Sequence, residues 1–506
     1  MSDDLLALTA IELRRRIGAR QLSPVELMDA CIARIESLNP FVNAISATDF
    51  DRARAAARVA EAAVMRGDAL PPLHGLPLGV KDLQDTEGLL TTYGNVGYRG
   101  HVPAHDNGLV ARLKRAGAIV TAKTNVPDMG AGANTRNPVW GATGNPFNPA
   151  LNAGGSSGGS AAALACDLLP LCTGSDTGGS LRIPAALCGV VGLRPSPGLV
   201  GNDARPLGWS VISVLGPMGR TVADTAFMLA SCTGLDAQDA LSYTPAEPSW
   251  PLATADLSSL KVGFTEDFGV CPVDAVVREA FRTRVAALEG RVALCEPVDL
   301  ALTDDAHRVF DILRAEAFLA AYGEAFRSAP ESLGPNVRAN VEMATAITLA
   351  DRAWAHLEQT RIARRFARAF ERYDLIVAPV TPVSPFPWTE LYATEVDGVP
   401  ARNYYHWLSL TYVVTLATNP ALSLPCGLDA RGMPFGLQLI GRLRGDVALL
   451  SMAQALEQAW AGDAALARPV PDLAALARSA VDLKAPVTHP PLEGKVAAGA
   501  GAATAV

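Results

Sequence analysis

Two glycine-serine clusters, separated by a short apolar run, constrain this chain more than any other feature. The first reads Ala153-Gly154-Gly155-Ser156-Ser157-Gly158-Gly159-Ser160. The second reads Gly174-Ser175-Asp176-Thr177-Gly178-Gly179-Ser180-Leu181-Arg182-Ile183-Pro184. Between them Ala161 to Cys172 is mostly apolar and holds no glycine. Glycines this dense make the backbone turn sharply or lie close against another group. Serines set in such turns present their hydroxyls at fixed places, as a nucleophile requires. A Gly/Ser cluster alone reads as a linker. Both of these run into apolar sequence, and the second carries Asp and Arg at set places, which argues against a linker. No Gly-Lys-Ser/Thr closes either cluster, so a phosphate loop is excluded. Gly155 to Gly159 does satisfy G-x-S-x-G, with Ser157 at its centre. That alternative needs a downstream acid and a histidine. His307, His356, His406 and His489 are available, none of them in a sequence that looks like a catalytic loop.

Upstream stands Gly75-Leu76-Pro77-Leu78-Gly79-Val80-Lys81-Asp82. With the two clusters it makes three motifs whose order and separation resemble the amidase signature family, from about Leu5 to Leu466. The resemblance implies an α/β fold: a central mixed, largely parallel β-sheet covered on both faces by many α-helices. It implies Lys81 as the catalytic lysine, Ser156 as a bridging serine in a cis peptide with Gly155, and Ser180 as the acylated nucleophile. None of the three positions departs from the family's pattern. Thr177, Gly178, Gly179 and Ser180 would turn backbone N–H groups toward an oxyanion. Ser157, Ser175, Asp176 and Arg182 would brace the loop by hydrogen bonds.

The chemistry sets a demand on the lysine. A serine hydroxyl is a weak nucleophile until a base takes its proton. A free lysine, with a pKa of about 10.4, is protonated at neutral pH and no base at all. Lys81 must therefore be stripped of water or set near another cation. The apolar Leu76-Val80 run, read as a buried strand, and the glycine loops offer that burial.

Composition narrows the partners. A formal net charge of -8 with no basic block argues against direct nucleic-acid binding. An apolar fraction of 49% with 19% charged residues supports an extensive core. Eight scattered cysteines without a C-x-x-C pair read as buried free thiols. No apolar run approaches the length of a membrane span, and no signal-peptide pattern follows the acidic start. The expectation is a cytoplasmic protein, with no metal or cofactor and with a homodimer left open.

Along the chain, strand and helix patterns alternate, as in α/β proteins. The expected organisation is one domain over 1–470, with outer N-terminal helices and a helical lobe at about 303–373. A C-terminal extension, 471–506, would follow, its small-residue end from Lys495 disordered. Arg361, Arg364 and Arg365 read as a solvated face of the lobe. The long Gly/Asn/Pro-rich segment from Thr124 to Gly159 reads as functional. Met129, Gly130, Trp140 and Tyr405 are candidates for a substrate pocket. The activity implied is hydrolysis of a small or aryl carboxamide through a Lys-cisSer-Ser triad and an acyl-enzyme. Anilides, esters and carbamates, the last a urethanase activity, fall within the same machinery. The alternative is the glutaminase subunit of a tRNA-dependent amidotransferase. A catalytically dead binding protein is disfavoured, because all three catalytic positions are filled.

Overall fold

A computed structural model describes residues 5–484. The expected tail disorder and His489 lie outside these residues. Within them, an eleven-stranded mixed sheet runs through the molecule. Its strands lie in the order Ile45–Thr48, Ile119–Thr124, Pro77–Lys81, Leu171–Asp176, Val214–Gly219, Val191–Arg194, Ala421–Leu428, Pro434–Ile440, Leu375–Pro379, Lys261–Phe264 and Leu294–Pro297. Parallel pairing is confined to two flanking groups. One joins Pro77–Lys81 to both of its neighbours, and the other joins Lys261–Phe264 to both of its own. The middle of the sheet and its Ile45–Thr48 edge are antiparallel, so the sheet is mixed as expected but not largely parallel. In the middle the short turn from 429 to 433 lets Ala421–Leu428 fold straight back onto Pro434–Ile440, which a crossover would not allow.

Local sequence explains most element ends. Ser23 accepts hydrogen bonds from the amides of Val25 and Glu26, opening the helix Pro24–Val42 with proline in its first turn. Asp49 accepts the amide of Arg52 and so opens Phe50–Arg66. Gly117 closes the helix Gly108–Arg115 with φ +92, where a Cβ would meet the His74 backbone at 2.7 Å. Two strands escape the sequence pattern. Ile45–Thr48 is short and lies at an edge. Val214–Gly219 contains two glycines and Pro217, residues that argue against a strand interior. In sequence, Val214 to Thr221 reads as the lead into a helix that runs to Cys232. It is instead paired on both sides, with Pro217 opposite Thr173. Burial on both faces overrides its weak propensity.

The expected helices at 303–373 are Asp305–Ser328, Pro335–Thr345 and Leu349–Arg372. Arg361 and Arg364 stand exposed on the last of these, whereas Arg365 is half-buried beside Glu358. A main apolar cluster reaches from Leu6 to Leu476. At its centre the helix Gly158–Ala165 is buried at every position, and its alanines let it pack closely under the sheet. All eight cysteines are free, and all but Cys295 are buried. Among the described residues no helix is long and apolar enough to cross a membrane.

Candidate active site

Parallel pairing brings the three motifs together. Leu78 faces Leu171 and Gly79 faces Cys172, so Lys81 and Ser175 emerge side by side at the carboxyl ends of adjacent strands. Open α/β sheets bind ligands at such strand ends. The helix Gly158–Ala165 delivers Ser156 to the same place from the turn before its N-terminus, and the Gly155–Ser156 peptide is cis.

Lys81 is fully buried. Its Nζ lies 2.7 Å from Ser156 Oγ and 2.8 Å from Ser175 Oγ. Burial pushes the amine well below the ordinary lysine range, with the Asp176 charge opposing. The neutral amine is thereby favoured, and a neutral amine can accept a proton. Ser156 is 3% exposed, whereas Ser180 is only half-buried. Both line one small cavity with Met129, Thr177, Gly178 and Phe318.

Asp176 holds the nucleophile loop. Its carboxylate accepts the amides of Gly179 (2.9 Å) and Leu181 (3.2 Å), and it pairs with Arg182 and Arg194. Burial alone would raise this carboxyl, but the two guanidinium groups overcome it and hold the group well below the usual carboxylate range. Arg182 then reaches the Thr411 carbonyl, Gln438 and Thr415, tying the loop to the helix Ser409–Ala417 and to the sheet. Thr411 Oγ1 also donates to the Gly178 carbonyl at 2.6 Å. Neither Thr411 nor Gln438 stands in a motif, and no local sequence signal marks them.

Two expectations change in detail. The resemblance groups Gly179 with the oxyanion amides, but its N–H is engaged by Asp176 and the residue does not line the cavity. Thr177, Gly178 and Ser180 do. Trp140 donates its indole N–H to Thr92 Oγ1 at 2.8 Å and lies outside the catalytic cavity, while Met129 and Gly130 line it. Tyr405, the fourth pocket candidate, also lies outside the catalytic cavity, because it is buried with its hydroxyl on Asp311, 2.6 Å away. A larger neighbouring cavity, lined by Asn95, Asp128, Asn134 and Arg136 among others, shares Gly132 with the catalytic one.

Ser157 is fully buried, its hydroxyl set against the backbone of Ser175. His307 uses both ring nitrogens, on the Tyr412 hydroxyl and the Val270 carbonyl. His406 packs edge-on against it, and burial takes the His406 ring down to about 4. The G-x-S-x-G alternative therefore has no accessible hydroxyl at its centre, and of these two histidines His307 is occupied elsewhere while His406 accepts the Arg402 amide at Nδ1.

Comparison with known proteins gives a consistent picture. The family model described as Amidase matches residues 26–450. A glutamyl-tRNA(Gln) amidotransferase subunit from Roseiflexus castenholzii is 36% identical over 479 residues, covering 90% of this chain and 96% of that protein. Among solved structures, a bacterial aryl acylamidase superposes with a TM-score of 0.84 at 26% identity, covering 89% of this chain and 96% of its own. The corresponding glutamyl-tRNA(Gln) amidotransferase subunit from Thermotoga maritima superposes with a TM-score of 0.71 at 25% identity, covering 94% and 99%.

Proposed function

Because this chain belongs to the amidase signature family and is a hydrolase of amide carbon–nitrogen bonds, we propose that Ser180 is its nucleophile, activated by Lys81 through Ser156. The observation that carries this reading is the buried Lys81 amine, biased to its neutral form, 2.7 Å from Ser156 Oγ. Ser156 takes the Ser180 proton as it passes its own to Lys81. The Ser180 oxygen adds to the carbonyl carbon, and the oxyanion falls beside the amides of Thr177, Gly178 and Ser180. Each such donor contributes about 3 kcal/mol to the transition state. The proton returns to the leaving amine, the C–N bond breaks, and water hydrolyses the acyl-serine by the reverse path.

The substrate of this first reading is a small or aryl carboxamide, with esters and carbamates open to the same attack. Its support is the apolar lining from Met129, Phe318 and Leu408 and the likeness to an aryl acylamidase. A second reading is the glutaminase subunit of a tRNA-dependent amidotransferase, working in a complex. Sequence identity favours this second reading more than the first, since the 36% relative belongs to such an amidotransferase and matches over nearly its full length. The test is a panel of amides, anilides, carbamates, esters and glutamine, with mass spectrometry locating the acylated serine. Acyl groups on Ser180 that vanish in Ser180→Ala support the mechanism, and an acyl group on Ser157 defeats it. Glutamine turnover that appears only with co-purified partner proteins selects the second reading.

A further inference from the structure

On the helix Asp305–Ser328, Phe310, Arg314 and Phe318 are spaced by four residues and share one face. That face closes the catalytic cavity. Arg314 and Phe318 line it together with Ser156 and Ser180, and the Phe310 ring sits against Gly178. Arg314 is 5% exposed.

Other buried arginines spend their charge inside the protein. Arg182 and Arg194 pair with Asp176, Arg205 with Asp239 and Arg220 with Asp167. Arg284 gives its N–H groups to the carbonyls of Ala280, Cys426 and Leu428. Arg314 forms no ion pair with any carboxylate among the described residues. Its Nη2 donates to the Tyr404 hydroxyl at 2.6 Å, and its Nε–H is buried with no acceptor. That hydroxyl is fixed in turn by Asn340 Nδ2 at 2.7 Å. The rings of Phe318 and Tyr405 enclose the guanidinium, their centroids 4.6 and 5.1 Å from its carbon. Asp311, one turn earlier on the helix, is occupied by the Tyr405 hydroxyl, with Asn403 and Arg402 beyond.

A buried cation without a counter-ion is a costly arrangement for a protein to keep. Aromatic faces and one hydroxyl hold this guanidinium in place without consuming its planar set of donors. We propose that Arg314 determines specificity at this cavity by receiving a carboxylate on the substrate, a few bonds from the scissile carbonyl. The substrate class is then an anionic amide, with the carboxylate on either the acyl or the amine portion. This rests on Ser180 being the nucleophile of the same cavity. The carboxylate oxygens accept the unused N–H groups of Arg314, while the apolar spacer lies along Phe318, Met129 and Leu408.

Two matched pairs distinguish the two portions: glutaric acid monoanilide against pentananilide, and 4-acetamidobenzoate against 4-methylacetanilide. Binding is measured first in Ser180→Ala, so that the result does not depend on turnover. The charged member of at least one pair should bind about tenfold tighter than its neutral mate. Adding Arg314→Met should erase that difference, and Arg314→Lys should keep part of it. In the wild-type enzyme the same preference should appear in KM. Equal binding within both pairs overturns the proposal, as does a loss in Arg314→Met that falls equally on charged and neutral members. Preferential binding of the anion to Ser180→Ala, with wild-type turnover acylating some other serine, would uphold the anion site and strike only the catalytic reading.

Discussion

Arg182 grips Asp176 in a two-pronged ion pair from which water is wholly excluded, Nε 3.0 Å and Nη2 2.9 Å from the two carboxylate oxygens. The pair joins the strand that ends at Asp176 to the helix that starts at Arg182, and Ser180 lies in the turn between them. Its geometry therefore sets where the nucleophile stands.

Arg182→Ala leaves Asp176 with Arg194 alone and strips the acceptors Gln438 and Thr415 of a donor. Breaking one side of a buried pair costs about 3–5 kcal/mol. Denaturant unfolding should show a loss of that order, and turnover should fall with it. Asp176→Asn should also destabilise at pH 7, because two buried guanidinium groups lose their shared anion. The Asp176 carboxyl is depressed below its ordinary 3.8. Its contribution is thus complete at neutral pH and is lost only as pH falls below that ordinary value. Acid unfolding of Asp176→Asn should accordingly be less steep than that of the wild type.

Lys81→Met should abolish hydrolysis without loss of stability at neutral pH. A lysine whose folded pKa lies below its unfolded one weakens the fold wherever the unfolded amine is charged, so replacing it removes a cost. In the wild type, the base is competent above the folded pKa. The quantity kcat/KM should rise with pH through a limb centred well below the ordinary 10.5 and then level off. A limb centred at 10.5 or higher would show that the amine is not desolvated during turnover.

Ser180→Ala should lower kcat by about 10³-fold or more while the thermal transition stays in place. Ser157→Ala removes only weak contacts with the Ser175 backbone, at 3.4 and 3.5 Å. It should cost about 1 kcal/mol of stability and retain acyl labelling. Covalent trapping with an activated ester, followed by peptide mapping, separates the two serines.

Gly179→Ala tests the loop from its backbone side. Gly179 has φ +124, and a Cβ there would stand 2.3 Å from Thr411 Oγ1. Thr411 also fixes the Gly178 carbonyl, so the intruding methyl strains the turn that carries Ser180. A loss of about 2 kcal/mol or more, measured by denaturant midpoint, is expected.

The motif residues were legible because their chemistry is local. Glycines that permit a sharp turn, serines within it and a lysine closing an apolar run are all written in short segments. The Ser23-Pro24 start of the helix Pro24–Val42 is local in the same way. Val214–Gly219 was not legible, because its strand identity comes from neighbours on both sides rather than from its own glycines and proline. Arg314 was equally silent. Within a helical lobe, a charged residue reads as solvent-facing until the opposing surface is known.

What the linear order of residues settled was the family, the sheet-and-helix class and the three residues proposed for the chemistry. What folding alone decided was that Lys81 is dry, that Asp176 takes the Gly179 amide out of service, and that a guanidinium looks into the cavity. The reason is physical. Turn chemistry and hydrophobic runs act over a few residues, whereas desolvation, charge pairing and the sharing of hydrogen-bond donors depend on what the rest of the chain brings within a few ångströms.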